Sequence, residues 1–287
     1  MLSSWKLGKV FGIDLYVHST FWLLPLFVLF SGLGDGAGKI AFDVLFVFAV
    51  FGCIALHELG HALAAAAYGI GTRDITLYPM GGVASLERMP ERPGREVAVA
   101  LAGPAVNVVI ALGLLVGLVG GEMAFTLPSS STGDVVGAFL SQLLIANVFL
   151  CGFNLLPAFP MDGGRVLRAL LATQMPRVRA TEVAVTVGTV MAVLFFAAGI
   201  ISANLSLLAV AVVVWMLGQA ELSNVRAERE RRRAERQARA FFAAEPEQPR
   251  DIDSDLAARR FTGLAWNTTH RVWVQWLNGV PVGALPR

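Results

Sequence analysis

Two histidines four residues apart, with a glutamate beside the first, stand in an apolar run: Cys53-Ile54-Ala55-Leu56-His57-Glu58-Leu59-Gly60-His61. On a helix, residues four apart lie on one face. His57 and His61 can therefore share one metal ion, and Glu58 lies close enough to act as general base on a metal-bound water. Two imidazoles are one ligand short of the three that catalytic zinc sites take from the protein. Asp162 is the candidate for the third. It follows a later apolar span, in a Pro160-Met161-Asp162-Gly163-Gly164 stretch that bends the chain. Alone it reads as a turn residue; beside the helical motif, on the same side and at similar depth, it reads as a ligand. Ionisable groups inside a bilayer are costly and default to a functional reading.

The elements that must position these side chains are membrane spans. Of 287 residues, 55% are hydrophobic and 15% charged, with mean hydropathy +0.63. Soluble domains are more polar. The expected fold is an all-α polytopic membrane protein of about six transmembrane helices, each near the roughly 20 residues a crossing needs. They fall at about 15–33, 40–68, 97–119, 135–156, 183–202 and 205–221, and the second carries the histidine motif. Residues 71–96 hold short alternating runs around Met80-Gly81-Gly82, which predicts a small β-hairpin or re-entrant element. Gly113, Gly117 and Gly121 recur every four residues, a spacing that lets another helix approach closely. The six-helix membrane core is 1–224. A tail, 225–287, holds a charged helix over Arg226–Arg239, a linker and a small Trp-rich hairpin at Asn278-Gly279. Cys53 and Cys151 both lie in apolar stretches, which argues against a disulfide scaffold. Cys53, one turn before His57, reads as an apolar filler ahead of a further ligand.

Basic residues set the expected orientation. Lys6 and Lys9 precede the first span; Arg73, Arg88, Arg92 and Arg95 lie between the second and third; Arg165, Arg168, Arg177 and Arg179 lie between the fourth and fifth. The positive-inside rule then puts both termini, the hairpin and the Asp162 loop in the cytoplasm. His61 lies about seven residues, roughly 10 Å, inside that face.

Three separated motifs now combine: His57-Glu58-Leu59-Gly60-His61, Gly103-Pro104-Ala105-Val106-Asn107, and Asn154-Leu155-Leu156-Pro157 running to Asp162-Gly163-Gly164-Arg165. Together they resemble the site-2 protease family of intramembrane zinc metalloproteases. The Gly8–Phe21 opening and Met80-Gly81-Gly82-Val83-Ala84 extend the match to about residues 5–221. The resemblance implies one zinc ion per chain, held by His57, His61 and Asp162, with Glu58 as general base. It implies hydrolysis of peptide bonds in or near transmembrane segments of single-pass membrane proteins, with membrane-tethered transcription regulators and anti-sigma factors as the kind of substrate. It also implies a multi-pass protein of a cell membrane, of the bacterial inner-membrane kind.

The resemblance gives Asn154 a role in holding substrate backbone; satisfying carbonyls freed at the Pro157 break explains it equally well. For Asn107 a packing role near the site comes first and substrate contact second. Gly81, Gly82 and Val83 form an exposed edge to which an unwound substrate segment can add as a strand; a plain interfacial hairpin explains the same residues. The lipid bilayer is an expected partner. Nucleic acid is not, because Glu alternates with Arg in the tail run. An inactive client-binding relative is the alternative, and it would lack a ligand or the Glu, all of which are present. A metal transporter would need ionisable residues along the spans, where only Asp43 and Glu221 occur, near the ends. The tail has no room for a pair of nucleotide-sensing CBS repeats, so regulation by nucleotide is not expected.

Overall fold

In the computed structural model the described residues are 4–34, 36–90, 92–124, 131–243, 260–267, 270 and 272–285. The chain opens as a hairpin. β1 (Ser4–Val10) turns at Phe11 and Gly12, both with positive φ, into β2 (Ile13–His18). A 3₁₀ turn over Ser19–Trp22 follows, and the amide of its second residue, Thr20 N–H, donates to His18 Nδ1. Pro25 then sits in the first turn of the short helix α1 (Leu23–Ser31), where proline is tolerated.

The expected first span is therefore not one helix. Its residues form a strand, a 3₁₀ turn and nine helical residues, which together run antiparallel to α2 (Ala37–Ala67). Phe21 meets Phe51 edge-on at 4.7 Å, Leu24 and Val47 join the same cluster, and Gly32 lies against Ile40. The cause is non-local: β2 pairs in parallel with β3 (Thr72–Tyr78), which arrives only after α2.

α2 ends where Tyr68 caps it and Gly69 takes a left-handed φ of 71°. Ile70 N–H then donates back to Ala65 O at 3.1 Å, the usual glycine exit from a helix. β3 turns at Met80 into β4 (Gly81–Leu86), the predicted hairpin, and completes a sheet in the order β1-β2-β3-β4. β4 is thus an edge strand. The sheet packs on α2 through Ile13, Ile75, Leu59 and Ala62.

The remaining helices are α3 (Pro93–Ala124), α4 (Ser131–Asn154), α5 (Asp162–Leu171), α6 (Arg177–Ile201) and α7 (Leu205–Ala243). Among the described residues five helices, α2, α3, α4, α6 and α7, are long and apolar enough to cross a membrane. The burial pattern is inside-out. Val109, Val116, Ile145 and Phe149 are about two-thirds exposed, while Ala62, Ala65, Ala169, Ala180 and Ala184 are fully buried. Small residues inside and large apolar ones outside mark a bundle that packs in lipid. The protein is a multi-pass membrane protein. The close helix approach expected at Gly113 and Gly117 is not made there, since both face open space; it occurs at Gly60, against Ala102 O and Val106.

The chain divides into two compact units, Met1–Leu222 and Ser223–Arg287. In the second, the charged run continues α7 as a helix. The expected hairpin at Asn278-Gly279 joins β6 (Val272–Leu277) to β7 (Val280–Leu285), and a third strand, β5 (Gly263–Asn267), pairs with the other side of β6.

Candidate active site

Three side chains from two elements converge. His57 and His61 project from one face of α2, with their rings 4.7 Å apart and nearly perpendicular. Asp162 opens α5. Its Oδ2 lies 3.1 Å from His57 Nε2 and 3.0 Å from His61 Nε2, and the two Nε2 atoms are 3.0 Å apart. All three residues are buried.

Local backbone explains why Asp162 arrives there. After α4 the chain folds back on itself. A Cβ at Gly163 would lie 2.3 Å from the carbonyl oxygens of Leu155 and Leu156, and one at Gly164 would lie 2.7 Å from the Ala158 carbonyl carbon. Only glycine permits this reversal, which drives the start of α5 inward. Opposite, a Cβ at Gly103 on α3 would lie 2.3 Å from His61 Nε2 and 2.6 Å from His57 Nε2. The missing side chain is the space into which both imidazoles point.

The donor set fits a cation. His61 Nδ1 is 2.7 Å from Val99 O. A carbonyl only accepts, so Nδ1 carries the proton and Nε2 presents a lone pair. That lone pair faces a carboxylate oxygen, and two acceptors repel at 3.0 Å unless a positive ion lies against both. The separations of 3.0 to 3.1 Å also approach the edge of about 3.3 Å that a tetrahedron with zinc–nitrogen bonds of about 2.0 Å requires. The Arg165 guanidinium lies 3.9 Å from the other carboxylate oxygen, Oδ1, and balances part of its charge. Among the described residues this is the one group of three such side chains arranged for a metal. Cys53 does not join it; its Sγ accepts from Asn147 Nδ2 at 3.3 Å.

Glu58 sits on the neighbouring face of α2, toward β4. Its Oε2 accepts from Ala84 N–H at 3.1 Å. Gly82 makes this approach possible, since a Cβ there would lie 2.6 Å from Glu58 Cγ. Gly81, with φ of 140°, closes the β3–β4 turn opposite Tyr78, and Val83 is half exposed on the edge. Asn154 is the last residue of α4 and half-buried. Asn107 on α3 is 1% exposed, and neither of its polar side-chain atoms has a partner among the described residues.

One cluster lay outside the expectations. Arg168 on α5 is 1% exposed. Its Nε donates to Glu96 Oε1 of α3 at 2.8 Å, Nη2 donates to the same oxygen, and Nη1 donates to Glu221 Oε1 of α7. The guanidinium also lies over the Phe159 ring. The helix that carries Asp162 is thereby tied to α3 and α7. The available signal was charge at the ends of apolar runs, at Glu96 and Glu221.

A family model described as Peptidase family M50 matches residues 45–196, which hold His57, Glu58, His61, Gly103 and the Asn154–Arg165 stretch with Asp162. The chain belongs to this family. Similar proteins agree with that placement. A Methanocaldococcus jannaschii protein named as a zinc metalloprotease is 34% identical over 219 residues, 75% of this chain and 60% of its own length. A Synechocystis relative is 37% identical over 175 residues, 58% of this chain and 44% of its own length. The chain thus spans about half the length of the curated relatives it matches. The solved structure of a site-2 protease from Methanocaldococcus jannaschii aligns with a TM-score of 0.56 and 31% identity, covering 77% of this chain and 95% of that one. The M50 membership accounts for the mostly helical architecture with a small sheet.

Proposed function

We propose that this M50 chain is a zinc-dependent intramembrane endopeptidase that hydrolyses peptide bonds in or near transmembrane segments of membrane-anchored proteins. The observation that carries the reading is the buried convergence of His57, His61 and Asp162 beside a glutamate tied to an edge strand. The relative named as a zinc metalloprotease supports it.

His57, His61 and Asp162 would hold a single zinc ion, which supplies a water of lowered pKa and a polarised carbonyl. Glu58 takes up the water proton and passes it to the departing amine. Its Oε2 is fixed by Ala84 N–H, which leaves Oε1 to receive the proton. A helical substrate must first give up internal hydrogen bonds. The open edge of β4 offers replacement partners, with the substrate added as a strand beside Gly81, Gly82 and Val83. Asn154, at the end of α4, takes a substrate backbone group in the same pose.

Substrates of this kind are single-pass proteins, membrane-tethered transcription regulators and anti-sigma factors among them. The host is a cell membrane of the bacterial inner-membrane kind, with both termini cytoplasmic by the positive-inside rule. The antiparallel run of residues 13–31 along α2 supports that parity, because it adds one composite traverse to the five long helices.

The test is co-reconstitution of the full chain with a panel of single-pass substrates in liposomes, with fragments mapped by mass spectrometry. Cleavage inside the apolar segment, absent in Glu58→Gln, supports the reading. Intact substrate that only co-purifies with the zinc-loaded chain favours the client-binding alternative.

A further inference from the structure

An imidazole that binds metal through one ring nitrogen needs an acceptor on the other, because that bond fixes the tautomer and the ring plane. His61 has one in Val99 O, at 2.7 Å. His57 Nδ1 is buried and has no partner among the described residues. Asn107 is in the complementary position: 1% exposed, with neither Oδ1 nor Nδ2 bonded among the described residues. Two unmet polar groups on neighbouring buried elements are the expected halves of one interaction.

The helices place them level. α2 and α3 run antiparallel, with Ala65 in one cluster with Val99, Gly60 against Ala102 and Val106, and Gly103 against Nε2 of both histidines. One further turn along α3, from Gly103 to Asn107, corresponds to one turn back along α2, from the His57–His61 level to the Cys53–His57 level. Asn147 Oδ1 also has no partner among the described residues, but its carboxamide is held elsewhere: Nδ2 donates to Leu143 O at 2.9 Å and to Cys53 Sγ at 3.3 Å.

We propose that Asn107 is the positioning residue for His57. Its Oδ1 accepts from the Nδ1–H of His57 through one bridging water, and keeps His57 Nε2 turned toward the metal position, as Val99 O does for His61. Near-complete burial leaves Asn107 little access to substrate, so this role replaces substrate contact. The inference rests on the zinc reading above.

The test is zinc affinity of the purified full chain, by competition with a chromophoric chelator, for wild type, Asn107→Leu, Asn107→Asp and Asn147→Leu. Asn107→Leu is expected to lose about 10- to 100-fold in affinity, the usual effect of removing a partner behind a metal ligand. Asn107→Asp keeps an acceptor oxygen and is expected to bind at least as tightly as wild type, and Asn147→Leu to show no comparable loss. Thermal unfolding of the metal-free chains separates a fold effect from a ligand effect. Wild-type affinity in Asn107→Leu overturns the assignment, and so does equal loss in the Leu and Asp variants. If Asn107→Leu does not fold, the cobalt-loaded Asp variant decides: ligand-field bands at wild-type positions are expected, and displaced bands overturn the proposal. A wild-type chain that holds no zinc overturns the zinc reading instead, which keeps the two failures apart.

Discussion

Glu58 Oε2 accepts the Ala84 backbone N–H at 3.1 Å, so the carboxylate beside the metal ligands is tied to the outer edge of the sheet. In an antiparallel strand alternate residues turn their amides to opposite sides. Ala84 N–H faces α2, away from β3, on the side left open for a further strand. In the proposed function, the group that handles the proton and the strand that receives substrate are thereby in register.

Replacing Glu58 by Gln keeps an acceptor for Ala84 N–H but removes the base. Cleavage of a reconstituted substrate is expected to fall by about 10²- to 10⁴-fold, the usual worth of general base catalysis, with zinc content unchanged by atomic absorption. Near-wild-type cleavage rules out Glu58 as the base.

Ala84→Pro deletes the outward donor only, and proline is tolerated at an outward position of an edge strand. Helical content and zinc binding are expected to persist, while cleavage drops by about tenfold or more, the effect of losing one charge-assisted hydrogen bond. Unchanged kcat and KM would show that the Glu58–Ala84 bond has no part in catalysis.

Gly103→Ala puts a methyl group 2.3 Å from His61 Nε2. The imidazoles must shift, at a cost of about 1–3 kcal/mol, equivalent to about 5- to 150-fold in zinc affinity. Gly113→Ala, one of the helix positions facing open space, is the matched control: it is expected to leave zinc affinity unchanged and to gain up to about 1 kcal/mol of helix stability. Chelator competition on both variants reads the difference.

Arg168→Met leaves Glu96 and Glu221 without their shared cation. Breaking a buried ion pair on one side costs about 3–5 kcal/mol, so a marked fall in Tm is expected by calorimetry in detergent. Glu96 keeps Arg177 Nη2 at 3.7 Å, so adding Glu221→Gln removes the charge left without a partner in this cluster, and adding Glu96→Gln as well removes the buried one; the triple variant is expected to recover part of the loss. A triple variant less stable than the single one contradicts the account of this cluster.

How much was legible follows from the range of the interactions. His57 and His61 declare themselves because the helical period alone puts them on one face. Asp162 is found by depth and by the glycines after it, which mark the reversal that brings α5 inward. The β3–β4 hairpin is a local pattern around Met80-Gly81-Gly82. The strand that opens the expected first span is not legible locally, because residues 15–33 satisfy the length and hydropathy of a helix, while the pairing of β2 with β3 lies beyond any local window. Arg168 was opaque for the same reason, since its partners are 72 and 53 residues away. Gly113 and Gly117 had the right spacing for helix contact, but spacing does not tell which face meets a neighbour. In the tail Asn278-Gly279 announces its turn, whereas β5, five residues opening on glycine, carries no such signal.

The central claim is that His57, His61 and Asp162 hold a zinc ion on which hydrolysis depends. The most direct measurement is cleavage of a single-pass substrate by the reconstituted full chain before chelation, after chelation, and after zinc is restored. The account predicts cleavage within the membrane segment, its loss with the metal and its return with about one zinc per chain. Cleavage that continues at an unchanged rate in the zinc-stripped protein would contradict it.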